Sequence, residues 1–345
     1  MSIVKAFRED RKDSRIVGID LLRGLCAAAV MMFHLLFLFP LSGSVSWGMT
    51  APHITQYGYL GVEVFFMISG FFISMSAEGT TRRQFLASRL ARILPTFWIC
   101  LGVTIFALAC VGKLPPTSQI AANLFVGAVF FGSTYIDGSY WSLTVEILFY
   151  SVVFLFIIGD RFRSRIMWFA LFWTFLTIVN FFYKIPLPSI HSANWAPYFS
   201  IGIFMYLNFI DSRPVYFFGF LYSVALSSVH AYFYVNVRLF ALINPALCSM
   251  IIIASSLIML LLTKATVSPK LKSSIVTIGT LSYPLYLIHA TTGSIIIEQF
   301  YRLGFAGVTF GIIIIFLLAY AVTKLDEPAA RKMRAIVGGS RPVER

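Results

Sequence analysis

Apolar segments long enough to cross a membrane recur along the whole chain. Of its 345 residues, 59% are hydrophobic and only 12% are charged, and the mean hydropathy is +0.84. A helix of about 20 apolar residues crosses the hydrocarbon core of a bilayer. With so many of these segments, no stretch is left for a separate soluble domain. We therefore predict an all-α integral membrane protein with a single transmembrane domain over residues 1–345.

The hydropathy pattern predicts about ten transmembrane helices. They are expected at approximately residues 17–40, 57–76, 93–112, 139–158, 165–183, 195–210, 214–230, 240–263, 275–298 and 304–323. The sixth and seventh are the least distinct, because only "DSRP" separates them. Residues 113–138 have an apolar centre too short to span, which predicts an interfacial or re-entrant helix on the outer side.

The 27 lysines and arginines predict that both termini are cytoplasmic. Most of them lie in the N-terminal arm, in the loops after the second, fourth, sixth and eighth spans, and in the C-terminal tail. The outer loops contain few. Cytoplasmic loops of membrane proteins are enriched in basic residues, so this distribution sets the orientation. It also accounts for most of the net charge of +13 without nucleic acid, and no nucleic-acid partner is expected.

The cysteines predict neither a disulfide framework nor a metal site. All four lie in or beside apolar spans without paired spacing, at Cys26, Cys100, Cys110 and Cys248. In such positions cysteine behaves as a small apolar residue. The first span is too long, and too polar at its start, for a cleaved signal peptide, so we expect it to be retained.

The first span, "GIDLLRGLCAAAVMMFHLLFLF", carries three ionisable residues, Asp20, Arg23 and His34. His34 is eleven positions after Arg23, which predicts a common helix face with the two about 16 Å apart. A charge in hydrocarbon costs at least a few kcal/mol, so such residues mark function by default. The structural alternative is an Asp20–Arg23 pair that anchors the helix end, with His34 as a hydrogen-bonded core histidine.

Four ionisable residues from four predicted helices lie at a similar depth in the membrane, in its outer half. They are His34, Glu63, Glu146 and His289. Each alone is compatible with a satisfied buried residue. Together they predict a shared polar cavity and an acid/base site.

A second cluster, in "TRRQFLASRLARILP", contains Arg82, Arg83, Arg89 and Arg92. Anchoring on the cytoplasmic side explains the charge without any ligand. It explains less well why all four are arginine, a side chain whose planar guanidinium binds phosphate through two parallel hydrogen bonds. We therefore predict a cytoplasmic nucleotide-containing donor, bound first of all by Arg89 and Arg92.

Six elements, in the expected order, resemble the membrane-bound acyltransferase-3 family of bacterial O-acyltransferases. They are "IDLLRGLCAAAVMMFH", "GYLGVEVFFMISGFFIS", "RLARILP", "YWSLTVEILFY", "LSYPLYLIHA" and "KLDEPAARK". The first is similar to the family's arginine and histidine separated by ten residues, here Arg23 and His34. Two positions depart mildly from the family pattern. Cys26 replaces the usual alanine, and the last element has proline directly after glutamate, where the family has Glu-x-Pro. The resemblance covers nearly the whole chain and is to the stand-alone form, without an added esterase-like domain.

The resemblance implies an O-acyltransferase of the bacterial cytoplasmic (inner) membrane, surrounded by membrane lipids. Its donor would be a cytoplasmic acyl-CoA, usually acetyl-CoA, with no metal. The acceptor would be a hydroxyl of an extracytoplasmic surface glycan, such as O-antigen of lipopolysaccharide or exopolysaccharide, or of a lipid-linked sugar. The modification would be O-acetylation of the polysaccharide.

The residues and the resemblance together suggest a mechanism. Arg89 and Arg92 would hold the CoA phosphates, with Arg23 further in. His34 would act as general base on the acceptor hydroxyl, oriented by Glu63 or Glu146. An acyl-histidine relay is a variant of the same scheme.

Other roles are open at this level. His289 would either stabilise the oxyanion or line the cavity. Ser69 and Ser142 have no neighbouring base pattern and are expected to pack or hydrogen-bond. The competing class is a transporter or flippase of an acylated or glycan intermediate, in which the buried charges are coupling sites. No inverted repeat supports that class.

Overall fold

The computed structural model describes residues 16–41, 53–183, 194–238 and 243–338, and within these ranges the chain is helical without strands. This confirms the predicted all-α class. The helices are α1 (Val17–Met32, continued by the π-helical turn Phe33–Leu38 and by Phe39–Leu41), α2 (Gly61–Ala77), α3 (Arg82–Cys110), α4 (Thr117–Asn123), α5 (Trp141–Phe156), α6 (Phe162–Tyr183), α7 (Ala196–Ile210), α8 (Pro214–Arg238), α9 (Pro245–Leu262), α10 (Pro269–Ile288), α11 (Thr291–Phe300) and α12 (Gly304–Gly338).

Seven helical segments of the described chain are long and apolar enough to cross a membrane. They are Val17–Leu41, His53–Ala77, Arg82–Cys110, Gly138–Phe156, Pro214–Val235, Pro245–Leu262 and Thr291–Met333. These overlap the predicted first, second, third, fourth, seventh, eighth and last spans. The protein is thus a multi-pass membrane protein. The number of ten spans and the cytoplasmic termini stay predictions, and the basic N-terminal arm and the end of the C-terminal tail lie outside the described residues.

One predicted region, the ninth span, differs from the helices observed, and the separation of the sixth and seventh spans matches them. The ninth span, expected as one helix over 275–298, is two helices, because α10 ends at Ile288 and α11 begins at Thr291. The sixth and seventh spans are distinct helices, α7 and α8, which pack against each other across a three-residue connection at 211–213. Such an arrangement is a helical hairpin rather than one broken helix.

Residues 113–138 contain only α4 and single 3₁₀ turns at Ala128–Phe131 and Gly138–Tyr140. None of these is long enough to span a bilayer. Phe125, Phe130 and Phe131 are each more than half exposed. The segment is thus too short to span, as predicted, and its interfacial or re-entrant position stays a prediction.

The structure divides into two compact units, and segments of the two units alternate along the chain. Among the described residues, the first contains 16–23, 60–79, 151–183, 194–238 and 243–279, and the second contains 24–41, 53–59, 80–150 and 280–338. Because neither unit is a continuous segment, they do not correspond to domains in the sequence, and the single transmembrane domain stays a prediction.

In the first unit, α7 packs against α2, α6 and α8. The contact between α2 and α7 depends on two glycines, since a Cβ at Gly70 would lie 2.1 Å from the Phe199 carbonyl oxygen and one at Gly202 would lie 2.0 Å from that of Met67. Small residues of this kind let helix backbones touch in membranes. This explains the glycine of the "SGFF" element in physical terms.

In the second unit, α3 packs against α11 and α12, and these two pack against each other. Thr292 donates a hydrogen bond to Thr104 at 3.1 Å, which joins α11 to α3. The 3₁₀ turn His53–Leu60 lies close against α1, where a Cβ at Gly58 would be 2.1 Å from the Ala29 carbonyl oxygen. This unit contains most of the predicted site residues.

Candidate active site

His34 lies at the point where α1 changes from α-helical to π-helical winding. The π turn covers Phe33–Leu38, and the Phe39 N–H donates to the His34 carbonyl oxygen, five residues back. Pro40 supplies the reason, because a proline ring clashes with the carbonyl group four residues earlier in a regular α-helix. π turns occur often at functional sites. The hydropathy pattern did not predict this change of winding.

His34 and His289 form a hydrogen-bonded pair within the second unit. His289 Nε2 lies 3.2 Å from His34 Nδ1, and the ring centroids are 4.8 Å apart. His289 is fully buried, whereas His34 is half-buried. The structure therefore brings together two of the four residues that the sequence placed at one depth.

The backbone carbonyl groups beside the two rings indicate which ring nitrogens carry a proton. His289 Nδ1 is 2.7 Å from the Tyr286 carbonyl oxygen, and His34 Nδ1 is 2.9 Å from that of Val30. A carbonyl oxygen only accepts hydrogen bonds, so both Nδ1 atoms carry a proton in the neutral rings. His289 Nε2 then accepts from His34 Nδ1–H. The remaining nitrogen, His34 Nε2, holds a lone pair, which is what a general base requires.

His289 occupies the break between α10 and α11, and both ends of this break are held by one segment of the chain. On one side, the Tyr286 hydroxyl is hydrogen-bonded to Ser142 at 2.7 Å. On the other, the Thr291 N–H donates to Asp137 Oδ2 at 2.8 Å. Because His289 lies between these contacts, the 137–142 segment fixes its position.

Tyr150 of α5 lies beside both Glu146 and Arg89. The Tyr150 hydroxyl donates to Glu146 Oε1 at 2.8 Å, and the Arg89 guanidinium lies 5.8 Å from the centroid of the Tyr150 ring. Arg89 and Glu146 are close enough for their charges to interact. Ser142, Glu146 and Tyr150 are spaced by four residues and share one face of α5, about 12 Å long. This face connects the histidine pair to Arg89.

The sequence predicted Glu146 or Glu63 as the partner that orients His34. In the structure, His34 Nδ1 is oriented by Val30 and His289, and the described hydrogen bond of Glu146 is with Tyr150. Glu63 belongs to the first unit, where it is 2% exposed. Its role, and the common depth of the four residues, stay predictions.

The other arginines of the cluster also lie on α3. A capping box starts the helix, since Thr81 accepts from the Gln84 N–H at 3.3 Å and Gln84 Oε1 accepts from the Thr81 N–H at 3.2 Å. Arg82 and Arg83 follow at once, at the positive end of the helix dipole, where cations are unfavourable and anions bind well. Arg83 and Arg92 are exposed. The cluster therefore presents positive charge over about 15 Å of α3.

Arg23 contacts Asp20 at 3.9 Å in the first unit, as the helix-anchoring interpretation expects. Asp20 is buried and lies against Gly279 of α10, where a Cβ would be 2.5 Å from the Asp20 Cβ. The face that Arg23 was predicted to share with His34 crosses the boundary between the two units, and it stays a prediction.

No group of three or more metal-ligating side chains occurs in the described parts of the chain. The cysteines there are free thiols. Two residues of the site were missed as functional candidates from sequence, Asp137 and Tyr286. The signal for Asp137 was present in "IDGSYW", an acidic residue followed by glycine and serine just before a helix, which is typical of a helix-capping position.

The described residues thus contain apolar helices long enough to cross a membrane and a hydrogen-bonded histidine pair. The sequence model of the family described as an acyltransferase domain matches residues 16–324. The chain therefore belongs to the acyltransferase-3 family, which confirms the resemblance of its sequence elements.

Two curated relatives are similar over part of this chain. The exopolysaccharide production protein ExoZ of Rhizobium meliloti (strain 1021) is 34% identical over 115 residues, covering 30% of this chain and 35% of ExoZ. BcsY of Komagataeibacter xylinus, named as a putative membrane-bound transacylase, is 29% identical over 160 residues, covering 40% of this chain and 36% of BcsY. The similarity thus spans about a third of each relative. No solved structure matches the chain at the level of these relatives.

Proposed function

We propose that this protein transfers an acyl group, most simply acetyl, from a cytoplasmic acyl-CoA to a hydroxyl group of an extracytoplasmic polysaccharide in the bacterial inner membrane. The observation that carries the proposal is the His34–His289 pair, in which both Nδ1 atoms face carbonyl oxygens and His34 Nε2 keeps its lone pair. Membership of an acyltransferase family supports the reaction class.

The reaction uses His34 as general base and then as general acid. Nε2 accepts the proton of the acceptor hydroxyl as its oxygen attacks the thioester carbonyl carbon. The tetrahedral intermediate then expels the CoA thiolate, which takes the proton back from Nε2. The products are an ester and free CoA, and no net proton is released. His289 acts as a positioning residue, since its two nitrogens already engage Tyr286 and His34.

The arginines of α3 bind the donor in this proposal. CoA carries a diphosphate and a ribose phosphate, and guanidinium groups bind phosphates in a bidentate geometry. Arg89 is held against the Phe85 and Tyr150 rings, 5.8 Å from each centroid. The polar face of α5 runs from there to the histidine pair, about 12 Å away, a distance that an extended pantetheine arm covers.

The polysaccharide acceptor rests on the name of one relative, ExoZ, which is named for exopolysaccharide production. The name of BcsY, a putative membrane-bound transacylase, supports the transfer of an acyl group at a membrane. Acetyl as the acyl group and surface polysaccharide as the acceptor are the proposal's most specific parts. Each is testable with purified protein.

The test is release of free CoA from acetyl-CoA by purified protein, with and without polysaccharide extracted from the cell envelope. The variants are His34→Ala and the matched control His53→Ala, a histidine that is exposed at the start of a 3₁₀ turn in the same unit. We expect polysaccharide-dependent release by the wild type and by His53→Ala, and only a residual rate, lower by about 1,000-fold, by His34→Ala.

Two results would contradict the proposal. If the wild type consumes no acyl-CoA with any polysaccharide or lipid-linked sugar, the protein is not this enzyme, and transport of an acylated intermediate becomes the better account. If His34→Ala turns over at the wild-type rate, acyl transfer stands but His34 is not its base.

A further inference from the structure

We propose that Asp137 is the positioning residue of the histidine pair. Its buried carboxylate fixes the break that carries His289 and stabilises the positive charge that His34 acquires in the reaction. The inference rests on the proposed function and extends it to a residue outside the four ionisable positions predicted from sequence.

Three hydrogen bonds hold the Asp137 carboxylate, which is fully buried. Oδ1 accepts from the Ser139 backbone N–H at 2.8 Å and from the Ser139 hydroxyl at 2.6 Å, and Oδ2 accepts from the Thr291 N–H at 2.8 Å. In all three hydrogen bonds the carboxylate oxygens are the acceptors.

Asp137 also supplies a cap that α11 lacks. Ala290 occupies the N-cap position and has no side-chain oxygen to cap with, so the first N–H groups of α11 need partners from elsewhere. Asp137 binds the Thr291 N–H from 154 residues away in sequence. A carboxylate at a helix N-terminus is also stabilised by the helix dipole. The cap therefore defines where α10 ends and α11 starts.

His289 lies between the two contacts that anchor this break. It is two residues before Thr291 and three after Tyr286, whose hydroxyl is bonded to Ser142 at 2.7 Å. The segment from Asp137 to Ser142 thus holds the chain on both sides of His289. Movement of the Asp137 contact would move His289 Nε2, which lies 3.2 Å from His34 Nδ1.

The charge of Asp137 complements the charge that forms on His34. Asp137 is close enough to His34 for their charges to interact, and its hydrogen-bond donors in the described chain are neutral. When His34 Nε2 takes the hydroxyl proton, the carboxylate of Asp137 is already in place to interact with the positive charge of the imidazolium. Fixed charges that complement a charge formed in the transition state lower its energy most effectively in a dry site.

The experiment compares Asp137→Asn with Glu298→Gln, a matched acid-to-amide change at an exposed position of α11. Both are purified in detergent, checked for a single folded species, and assayed for CoA release and acyl transfer. For Asp137→Asn we expect kcat to fall by about 100-fold with the KM for acetyl-CoA unchanged. Glu298→Gln should retain the wild-type values.

A double variant separates positioning from a structural role. If Asp137 acts through His34, Asp137→Asn should have no further effect on the residual turnover of His34→Ala. A purely structural role would lower that residual rate again, and it would change KM together with kcat. Either of these results, or wild-type kcat in Asp137→Asn, would overturn the inference.

If Asp137→Asn does not fold, Ser139→Ala tests the inference instead. This change removes one donor to Oδ1 and keeps the charge, so we expect kcat to fall about five-fold at constant KM. An unchanged kcat would overturn the inference. Failure of the proposed function looks different, since the wild type and Glu298→Gln would then also show no transfer.

Discussion

The histidine pair and the arginine cluster of the second unit differ in how firmly the structure holds them. Both Nδ1 atoms of the pair and His289 Nε2 have hydrogen-bond partners, and His289 is fully buried. In the cluster, Arg83 and Arg92 are exposed and Arg89 is packed on aromatic rings. The histidine pair is held in a single arrangement, whereas the arginine side chains can adapt to a ligand.

This difference matches two kinds of work. A base must lie within hydrogen-bond reach of one proton, so small displacements cost much of the rate. Binding a flexible, multiply charged donor needs charge and reach more than a fixed geometry, and the guanidinium groups supply both. Substitutions in the pair should therefore change kcat, and those in the cluster should change KM.

The largest effect is expected for His34→Asn. The asparagine amide can still donate to the Val30 carbonyl oxygen in place of Nδ1–H, but nothing replaces Nε2. We expect kcat for acyl transfer to fall by about 1,000-fold while KM for acetyl-CoA stays unchanged. CoA release at saturating donor and acceptor measures this, and more than about a tenth of the wild-type kcat would show that Nε2 is not the base.

A smaller loss is expected at His289, and it should depend on the substitution. Asparagine keeps a donor to the Tyr286 carbonyl oxygen but has no acceptor near the position of Nε2, so kcat should fall by about 100-fold. Glutamine places its amide oxygen near Nε2 and should recover about ten-fold of this loss. Equal rates for His289→Asn and His289→Gln would show that the contact with His34 does not orient it.

Substitutions in the arginine cluster should change the KM for acetyl-CoA. For Arg89→Lys and Arg92→Lys, which keep the charge but lose bidentate binding, we expect KM for acetyl-CoA to rise about ten-fold with kcat unchanged. Because Arg92 is exposed, added salt should weaken its contribution more than that of Arg89. Initial rates over a range of donor and salt concentrations test this, with the exposed Arg302→Lys as control. A fall in kcat alone would place these arginines in the chemical step.

The smallest effect is expected for Tyr286→Phe. This change removes the hydroxyl that is bonded to Ser142 and leaves the carbonyl group that holds His289. Loss of one such bond should lower kcat about five-fold. Tyr320→Phe, at an exposed position of α12, serves as the control. If Tyr286→Phe raises KM instead, the hydroxyl belongs with donor binding rather than with the histidine pair.

Sequence patterns predicted the local features of this fold well. Apolar length gave the first four spans within a few residues, apart from the third, whose helix begins at Arg82 rather than near residue 93. His34 and His289 were identified because they are ionisable residues within apolar segments, where such residues are costly and are usually functional.

Features that depend on distant contacts were not predictable in the same way. The break at His289 is stabilised by Asp137, which is far away in sequence, and "LSYPLYLIHATTG" itself contains no strong helix stop at that point. Likewise, the predicted depth of Glu146 did not indicate its hydrogen bond with Tyr150 on the same helix face. Depth gives the level of a residue but not the side of the helix that meets a given neighbour.

The sharpest test of His34 as the base is the mass of the polysaccharide after incubation with acetyl-CoA and either wild-type protein or His34→Asn. We expect the wild type to add acetyl groups to the glycan, and His34→Asn, folded and still able to bind the donor, to add about 1,000-fold fewer in the same time. Equal acetylation by the two proteins would show that His34 Nε2 does not take the proton of the acceptor hydroxyl.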